Sequence, residues 1–364
     1  MISRKSQVTS RKSQVASCKS QVTNRKSINV VSNVPFDTKV LKLLTTAIVL
    51  FLYIMAGSAS LAAQPGGQAG AFLRLGLAPD RVAMGDCGVA LSNSAMNWYY
   101  NPAGLPSQRK RQAAFGYRFM SLDRSLMYAG YSTPLKPHAG LALGVTSAGT
   151  DDIDMRDSNG RRIQMTSFSE SLLHGSFALQ PHPIIALGLS IKWLIASTPD
   201  VRDDDKTLFA YAMALDFGVL LRASPVLRFG LQAQNLGARY NWETSDVWGD
   251  EIGSTEDELP SLLRIGAAWD PIQDLTLVSD VILDPDRAGD ESNAIEPHFG
   301  AEFRRNVSNK YRFALRAGYN GRMITSGFGI GMDLGFAWGE MNYAFYNEDI
   351  APNSAHLIGW VFRF

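Results

Sequence analysis

Cysteine and histidine are scarce in this chain, and their scarcity excludes several kinds of site. Only two of the 364 residues are cysteines, Cys18 and Cys87, and Cys18 lies in a leader that we expect to be removed, so no internal disulfide is expected. The five histidines show no metal-ligand spacing, and the sequence contains neither a Gly-x-Ser-x-Gly elbow nor a plausible Ser/His/Asp set. We therefore predict a protein that is not an enzyme and that carries no metal and no cofactor.

A surplus of positive charge is also missing from most of the chain. Residues 1–63 hold nine of the 35 Lys and Arg and one of the 34 acids, a net charge of +8, which leaves 26 minus 33, or −7, for the remainder. Nucleic-acid binding needs a clustered positive surface on the folded domain. The acidic body of the chain therefore predicts no nucleic-acid partner.

One continuous apolar run is present, and it lies near the amino terminus. Within residues 39–63, Lys39 and Lys42 precede a short apolar stretch, and small residues follow it. This order is typical of a secretory signal peptide, with cleavage expected between Ser60 and Gln64. A membrane anchor is the alternative, but a span needs about 20 apolar residues, and this run is shorter.

Residues 1–38, ahead of that run, contain a tandem seven-residue repeat, RKSQVTS, RKSQVAS, CKSQVTN and RKSINVV. The first three units repeat one apolar position, at Val8, Val15 and Val22, whereas a coiled-coil seam needs two. We predict a low-complexity leader that takes no part in the fold.

Strand-like alternation runs from residue 111 to the end of the chain. Segments in which every second residue is apolar are separated by turn residues, and no helical stretch of ordinary length interrupts them. The pattern predicts fourteen strands, over residues 111–120, 125–134, 138–149, 168–180, 183–197, 206–222, 225–237, 260–270, 273–283, 294–304, 310–320, 324–334, 336–347 and 354–364.

The two faces of these segments favour a membrane barrel over a soluble sandwich. In residues 324–334, Phe328, Ile330 and Met332 alternate with glycines, and each such apolar row is long enough to cross a bilayer at a tilt. Clipped connections alternate with mostly longer ones, as in outer-membrane barrels. The longer connections are predicted at residues 150–167, 198–205, 238–259, 284–293 and 348–353. We predict an all-β fold, a 14-stranded antiparallel transmembrane β-barrel over residues 111–364.

The last segment, residues 354–364, ends in an aromatic residue where most chains end in polar ones. An unpaired strand edge in hydrocarbon costs several kcal/mol for each orphan group, so a membrane barrel must close. We therefore predict that this segment pairs with the first strand. Phe364 resembles the terminal aromatic residue that outer-membrane barrels present to their insertion machinery.

Residues 64–110 do not alternate, and they carry a resemblance to a known family. The stretch AGAFLRLGLAPDRVAMGDCGVAL followed by WYYNPAGL resembles the amino-terminal region of the PorV/PorQ family, which is related to FadL-type long-chain fatty acid transporters. The stretches LQAQNLGARYNWE and LPSLLRIGAAWDP are also similar to that family. The resemblance implies that residues 64–110 form a plug inside the barrel. The residues expected to hold or gate the plug are Phe72, Leu73, Arg74, Gly85, Asn101, Pro102 and Gly104.

Charged residues on the inward face of the predicted strands agree with a plugged lumen. Opposite signs are balanced there, whereas an ion-selective pore uses rings of one sign. Ordinary solvation of the lumen is the alternative role for these charges. The predicted lumen charges are Lys192, Asp216, Arg228, Arg264, Arg312, Arg316, Asp333 and Glu340, with Glu302 as a further balancing acid.

Three functions remain open at this point. The resemblance implies an outer-membrane protein that takes part in type IX-like secretion or surface attachment, with secreted cargo or other secretion components as partners. In that case Tyr240, Trp242 and Trp248 are candidate contacts on an exposed extracellular loop. Passive FadL-type transport of a hydrophobic small molecule is the first alternative, and a structural or assembly barrel is the second. Outer-membrane lipid is an expected partner in all three.

Overall fold

The computed structural model describes residues 69–92, 94–199, 206–242, 255–284, 295–308, 310–321, 327–347 and 354–364. The predicted leader over residues 1–38, the predicted signal peptide over residues 39–63 and the first residues of the predicted plug lie outside the described residues. None of the helices among the described residues is long and apolar enough to cross a membrane.

Sixteen β-strands make up most of the described chain. They are β1 (Gln112–Phe119), β2 (Arg124–Leu135), β3 (Ala139–Arg156), β4 (Arg162–His182), β5 (Ile185–Thr198), β6 (Leu208–Arg222), β7 (Leu227–Leu236), β8 (Arg239–Trp242), β9 (Thr255–Glu258), β10 (Leu262–Ile272), β11 (Leu275–Leu283), β12 (Ile295–Asn306), β13 (Arg312–Asn320), β14 (Gly327–Phe336), β15 (Gly339–Asn347) and β16 (Ser354–Arg363).

Fourteen of these strands form a closed antiparallel barrel, which confirms the predicted fold class. Each of β1 to β6 and β10 to β15 pairs with the strand that follows it, and β7 pairs with β10. β1 pairs with β16 from Gln112 opposite Arg363 to Phe119 opposite His356, so the last strand closes the barrel as predicted. Closure leaves no strand edge exposed to hydrocarbon.

Two of the predicted long loops contain strand. Residues 150–167 were expected as a loop, but β3 and β4 stay paired to Arg156 opposite Arg162, with register shifts beyond Thr150. Residues 238–259 were also expected as a loop, but they contribute β8 and β9, which form a hairpin beside β6. The sequence pattern did not reveal these strands because their residues are largely charged and polar. A strand that extends beyond the bilayer does not need an apolar face.

The two ends of the barrel differ. At one end, which we call the short-turn end, the connections are residues 136–138, 183–184, 223–226, 273–274, 307–311 and 337–338, and both the start of β1 and the end of β16 lie there. The opposite end, which we call the long-loop end, carries the remaining connections, including the β8–β9 hairpin.

The outer face of the barrel is apolar and exposed. Leu143, Leu173, Met213 and Ile330, on four different strands, are each more than half exposed. Burying a side chain of this size in hydrocarbon is worth about 1.5–3 kcal/mol. The apolar belt therefore stabilises this fold in lipid and is unfavourable in water.

Inside the barrel, the chain before β1 folds into short helical turns. They are a 3₁₀ turn (Ala71–Arg74), helix α1 (Pro79–Val82), helix α2 (Asn97–Tyr100) and a second 3₁₀ turn (Pro102–Ser107). The second 3₁₀ turn begins where it does because the side chain of Asn101 accepts a hydrogen bond from the N–H of Ala103 at 3.0 Å, and Pro102 supplies a preset φ. We call residues 69–110 the plug segment.

The plug segment crosses the lumen from one end to the other. Arg74, near its beginning, forms an ion pair with Asp284 beyond the long-loop end of β11, at 2.8 Å. Ser107, near its end, accepts a hydrogen bond from Arg222 at the short-turn end of β6. The segment then runs directly into β1.

Candidate functional site: the plugged lumen

Small inward residues let the backbone of the plug segment touch the barrel wall. A Cβ atom added at Gly230 of β7 would overlap the carbonyl group of Val89. At Gly318 of β13 it would overlap the backbone of Met84 and Gly85. Only glycine permits such close approach of two backbones, so these positions determine where the plug lies.

Hydrogen bonds from inward side chains then fasten the plug backbone to the wall. Asp280 of β11 accepts from the backbone N–H groups of Gly88 and Val89, at 2.7 and 3.1 Å. Asn101 donates in both directions, to the carbonyl of Val89 at 2.7 Å and to the carbonyl of Val219 in β6 at 3.1 Å. The plug is therefore bonded to two separate strands of the barrel wall, β11 and β6.

We expect Asp280→Ala to loosen the plug and to destabilise the protein by about 3 kcal/mol, because hydrogen bonds to a charged group contribute roughly 1.5–3 kcal/mol each. Trypsin cleavage at Arg74 or Arg81 in the plug segment, followed on the detergent-solubilised barrel, is the measurement. Asp154→Ala, an exposed acid of the β3–β4 hairpin, is the control and should leave cleavage unchanged. Equal resistance of Asp280→Ala and wild type would contradict the assignment.

Tyr100 connects two parts of the plug segment to each other. Its hydroxyl donates to Oδ1 of Asp86 at 2.7 Å and accepts from the N–H of Leu77 at 3.2 Å. Burial and the charge of Asp86 raise the pKa of Tyr100 well above its usual value, so the donor keeps its proton at neutral pH. Arg264 of β10 lies 3.7 Å from Oδ2 of Asp86. Asp86 therefore connects two parts of the plug segment and also connects the plug segment to the barrel wall.

A buried charge cluster lies where β6 and β7 separate. The register of this pair shifts between Leu215 and Phe217, and Asn235 of β7 has a positive φ of 58°. The freed N–H of Asn235 donates to Oδ1 of Asp216 at 2.9 Å, while Nζ of Lys192 lies 2.6 Å from Oδ2 of the same carboxylate. The β-bulge therefore creates the site at which these two charges meet.

A second charge cluster lies toward the short-turn end, on the inner face of β12 to β16. Its arginines and acids alternate in space, so each carboxylate is contacted by at least one guanidinium. The ion pairs are Arg304–Glu302 (2.8 Å), Arg316–Glu302 (2.7 Å), Arg316–Asp333 (3.2 Å), Arg312–Glu340 (2.7 Å) and Arg363–Glu340 (2.8 Å).

A cavity of about 630 Å³ lies at the short-turn end, below α1. We call it the vestibule. Its wall is polar and of mixed charge, and Arg228 and Asp270 form an ion pair there at 2.8 Å. Other charged residues that line it include Asp80, Arg81, Glu302, Arg304, Arg312 and Glu340.

The predicted plug residues all lie inside the barrel. Phe72 and Leu73 are buried, and Arg74 binds Asp284. The carbonyl of Gly85 lies 2.6 Å from Nδ1 of His298 in β12. Asn101 makes the bonds described above, Pro102 packs against the wall at Gly188 and Gly218, and Gly104 contacts the side chain of Asn97. Their role in gating remains a prediction.

The predicted lumen charges all face inward, but their partners differ in part from the expected set. Lys192 pairs with Asp216, and Arg312 and Arg316 pair with Glu340, Glu302 and Asp333, all within the expected set. Arg228 instead pairs with Asp270, and Arg264 pairs with Asp86 of the plug segment.

The expectation that Tyr240 is an exposed loop contact is wrong. Tyr240 is 1% exposed, because β8 turns it into the lumen, where its hydroxyl donates to Glu170 at 3.0 Å. Trp242 is half-buried, and its indole N–H donates to Asp257 at 2.7 Å. Trp248 lies outside the described residues.

Several residues that hold the plug were not found from the sequence. Asp280 lies at an inward-facing position of a predicted strand, between Val278 and Ile282. The alternation of this strand was therefore sufficient to predict that Asp280 faces the lumen. Trp98 is fully buried, and its ring lies edge-on to that of His174 with the ring centroids 5.3 Å apart. Sequence alternation could not indicate this residue, because the plug segment has no regular spacing of apolar residues. Among the described residues no group of three or more His, Cys, Asp or Glu side chains is placed to hold a metal ion.

Comparison with solved structures places this fold beside known membrane transporters. The Ralstonia pickettii toluene transporter TbuX is 13% identical with a TM-score of 0.54, over 79% of this chain and 98% of its own. The Pseudomonas putida toluene transporter TodX is 10% identical with a TM-score of 0.58, over 79% and 99%. A FadL homologue of Pseudomonas aeruginosa is 9% identical with a TM-score of 0.50, over 79% and 97%.

These similarities extend over the fold described above, a closed 14-stranded antiparallel barrel with the plug segment inside it. At such low identity they show the fold alone. No protein-family model and no curated protein matches the sequence. The resemblance to the PorV/PorQ family therefore stays a prediction.

Proposed function

We propose that this protein is an outer-membrane barrel through which a hydrophobic small molecule passes, with the plug segment as its gate. The observation that carries the proposal is an apolar cluster that the plug segment forms with part of the lumen wall. Phe72, Leu77 and Trp98 of the plug segment pack in one buried cluster with Leu126 and Leu172 of the wall. A hydrophobic molecule that displaced these plug side chains would meet an apolar lining.

The charges of the lumen support transport of a hydrophobic molecule rather than of an ion. The clusters described above bring opposite signs together, whereas selective ion pores use rings of one sign. The fold supports the same choice, since the transporters TbuX and TodX share it. The vestibule would then be the exit at the periplasmic side, which we assign to the short-turn end by loop length.

Uptake by whole cells tests this function, because lipopolysaccharide makes the outer membrane a barrier to hydrophobic molecules. Cells that express the full chain should take up labelled toluene or oleate faster than cells without it. Uptake of labelled sucrose should not change, because the plug closes the lumen to water-filled passage. Unchanged uptake of both hydrophobic probes would contradict the proposal.

Secretion or surface attachment is the second candidate, and one observation favours it. β3 pairs with β2 only as far as Thr150, and β4 pairs with β5 only from Ser169, so the hairpin between them projects beyond both neighbours. Such a hairpin is suited to contact another protein. Its residues are exposed and charged, with Arg156 bound to Asp154 at 2.7 Å.

Shortening this hairpin distinguishes the two candidates. We expect replacement of residues 151–166 by a short Gly-Ser turn to leave uptake of toluene and oleate unchanged under the first proposal. The second candidate would be favoured if cells with the shortened chain lost a surface-attached protein that wild-type cells retain. It would also require that neither strain takes up toluene or oleate faster than cells without the protein. Mass spectrometry of shed surface proteins is the measurement.

A further inference from the structure

The short-turn end of the barrel carries exposed cations on one side only. These cations lie in turns and at strand ends of β12 to β16 and of β1 to β3. These eight strands follow one another around the barrel, because β16 pairs with β1. We call this group the cationic arc. It consists of Arg109, Lys110, Arg111, Lys136, Arg305 and Lys310, all exposed.

Within the described residues, none of these six cations forms an ion pair. The sequence of their turns contains no acidic side chain. The acids at this end face the lumen instead. Glu302 and Glu340 are held there by inward arginines, as described above, so the outer rim keeps its full positive charge.

The other half of the same rim has a different character. Its turns, over residues 183–184, 223–226 and 273–274, contain no Lys or Arg. Arg222, at the end of β6, is turned toward the plug segment, where it donates to Ser107. The net negative charge of the body therefore conceals a local, one-sided cationic surface.

An aromatic row lies on the outer face directly beside the cationic arc. Its rings follow one another around the barrel, with centroids 5.1–6.3 Å apart and most pairs stacked within 24°. The row consists of Tyr311, Phe336, Trp338, Phe362, Phe115 and Trp360. Trp338 and Tyr311 are each 57% exposed. Aromatic rings of this kind mark the level of the lipid headgroups.

We propose that the cationic arc and the aromatic row together bind an anionic phospholipid of the leaflet at the short-turn end. The phosphate would lie on the arc, and the acyl chains would run along the outer face past the aromatic row. Charge complementarity supports this occupant, because a Lys or Arg near an anionic membrane surface contributes about 1 kcal/mol, or roughly a fivefold gain in affinity. The arc covers eight neighbouring strands and leaves the turns of the other six without a cation, so the attraction is confined to one sector of the rim.

Native mass spectrometry of the purified full chain tests the proposal, with phosphatidylglycerol and phosphatidylcholine as probes. We expect wild type to retain phosphatidylglycerol preferentially. The variant R109Q/K110Q/R111Q should lose about tenfold or more of that preference. The control R156Q/R161Q/R162Q removes the same charge from exposed arginines at the long-loop end and should keep the preference.

Further measurements distinguish a defined lipid site from general attraction to negative charge and from a contact between copies of the chain. The preference should weaken as salt rises, and Trp338→Ala should weaken retention of both lipids, since it removes apolar contact and no charge. If R109Q/K110Q/R111Q does not fold, R305Q/K310Q tests the end of the arc at β12 and β13. Equal loss in the control variant would overturn the proposal. So would a dimer of wild type that the arc variants abolish while lipid preference persists, since the arc would then be an interface between copies.

Discussion

Replacement of Lys192 by methionine is expected to destabilise the barrel by about 3–5 kcal/mol, because it leaves the carboxylate of Asp216 buried without its counter-ion. The two side chains are 1% and 0% exposed, and their charged atoms lie 2.6 Å apart. Water cannot replace the lost partner at such a depth. Thermal unfolding of the detergent-solubilised barrel, followed by the loss of its β-sheet circular dichroism, is the measurement.

Two controls make this result specific to the buried pair. The double variant K192M/D216N removes both charges and keeps an acceptor for the N–H of Asn235, so we expect it to recover most of the lost stability. Arg156→Met breaks an exposed ion pair with Asp154 and should cost less than about 1 kcal/mol. Unfolding of K192M at the wild-type temperature would show that this charge pair contributes little to stability.

Replacement of Gly318 by valine is expected to open the lumen. Its side chain would occupy the space of the Met84 and Gly85 backbone, and neither backbone can move without breaking the bonds that hold the plug. Overpacking of this kind costs about 1–3 kcal/mol, which displacement of the plug would relieve. We expect ion conductance in planar bilayers to rise above the wild-type level, and sucrose uptake by cells to appear.

Gly175→Val is the matched control for that experiment. A Cβ at Gly175 would meet Cδ2 of Leu143 at 3.7 Å, an ordinary contact on the outer face. Conductance of this variant should equal that of wild type. If Gly318→Val remains closed and as stable as wild type, the plug is not held by close backbone contact at β13.

Part of this architecture could be predicted from local pattern. The outward rows of β14 and of its neighbours repeat every two residues, and lipid requires that repetition on every strand of a barrel. The closing role of residues 354–364 followed from the same requirement, since a barrel in hydrocarbon cannot leave an edge unpaired. The inward parity of Lys192 and Asp216 was predictable on the same grounds.

The partners of the inward side chains and the burial of residues outside the bilayer could not be predicted from the two-residue period. Arg264 meets Asp86, and Asp280 binds Gly88, across separations of more than 170 residues, and no local period relates such positions. Tyr240 sits in a segment that looked like an exposed loop, yet a hairpin beside β6 turns it inward. The length of the β3–β4 hairpin was concealed because strand outside the bilayer has no apolar face to reveal it.

The amino-acid sequence by itself determined the barrel, its strand number, its closure and which side of each strand faces lipid, because each of these depends on a two-residue period repeated through the chain. Only the tertiary structure decided how the plug crosses the lumen, which charges neutralise one another and where the unpaired cations gather on the rim. Those features depend on which distant strands become neighbours when the barrel closes.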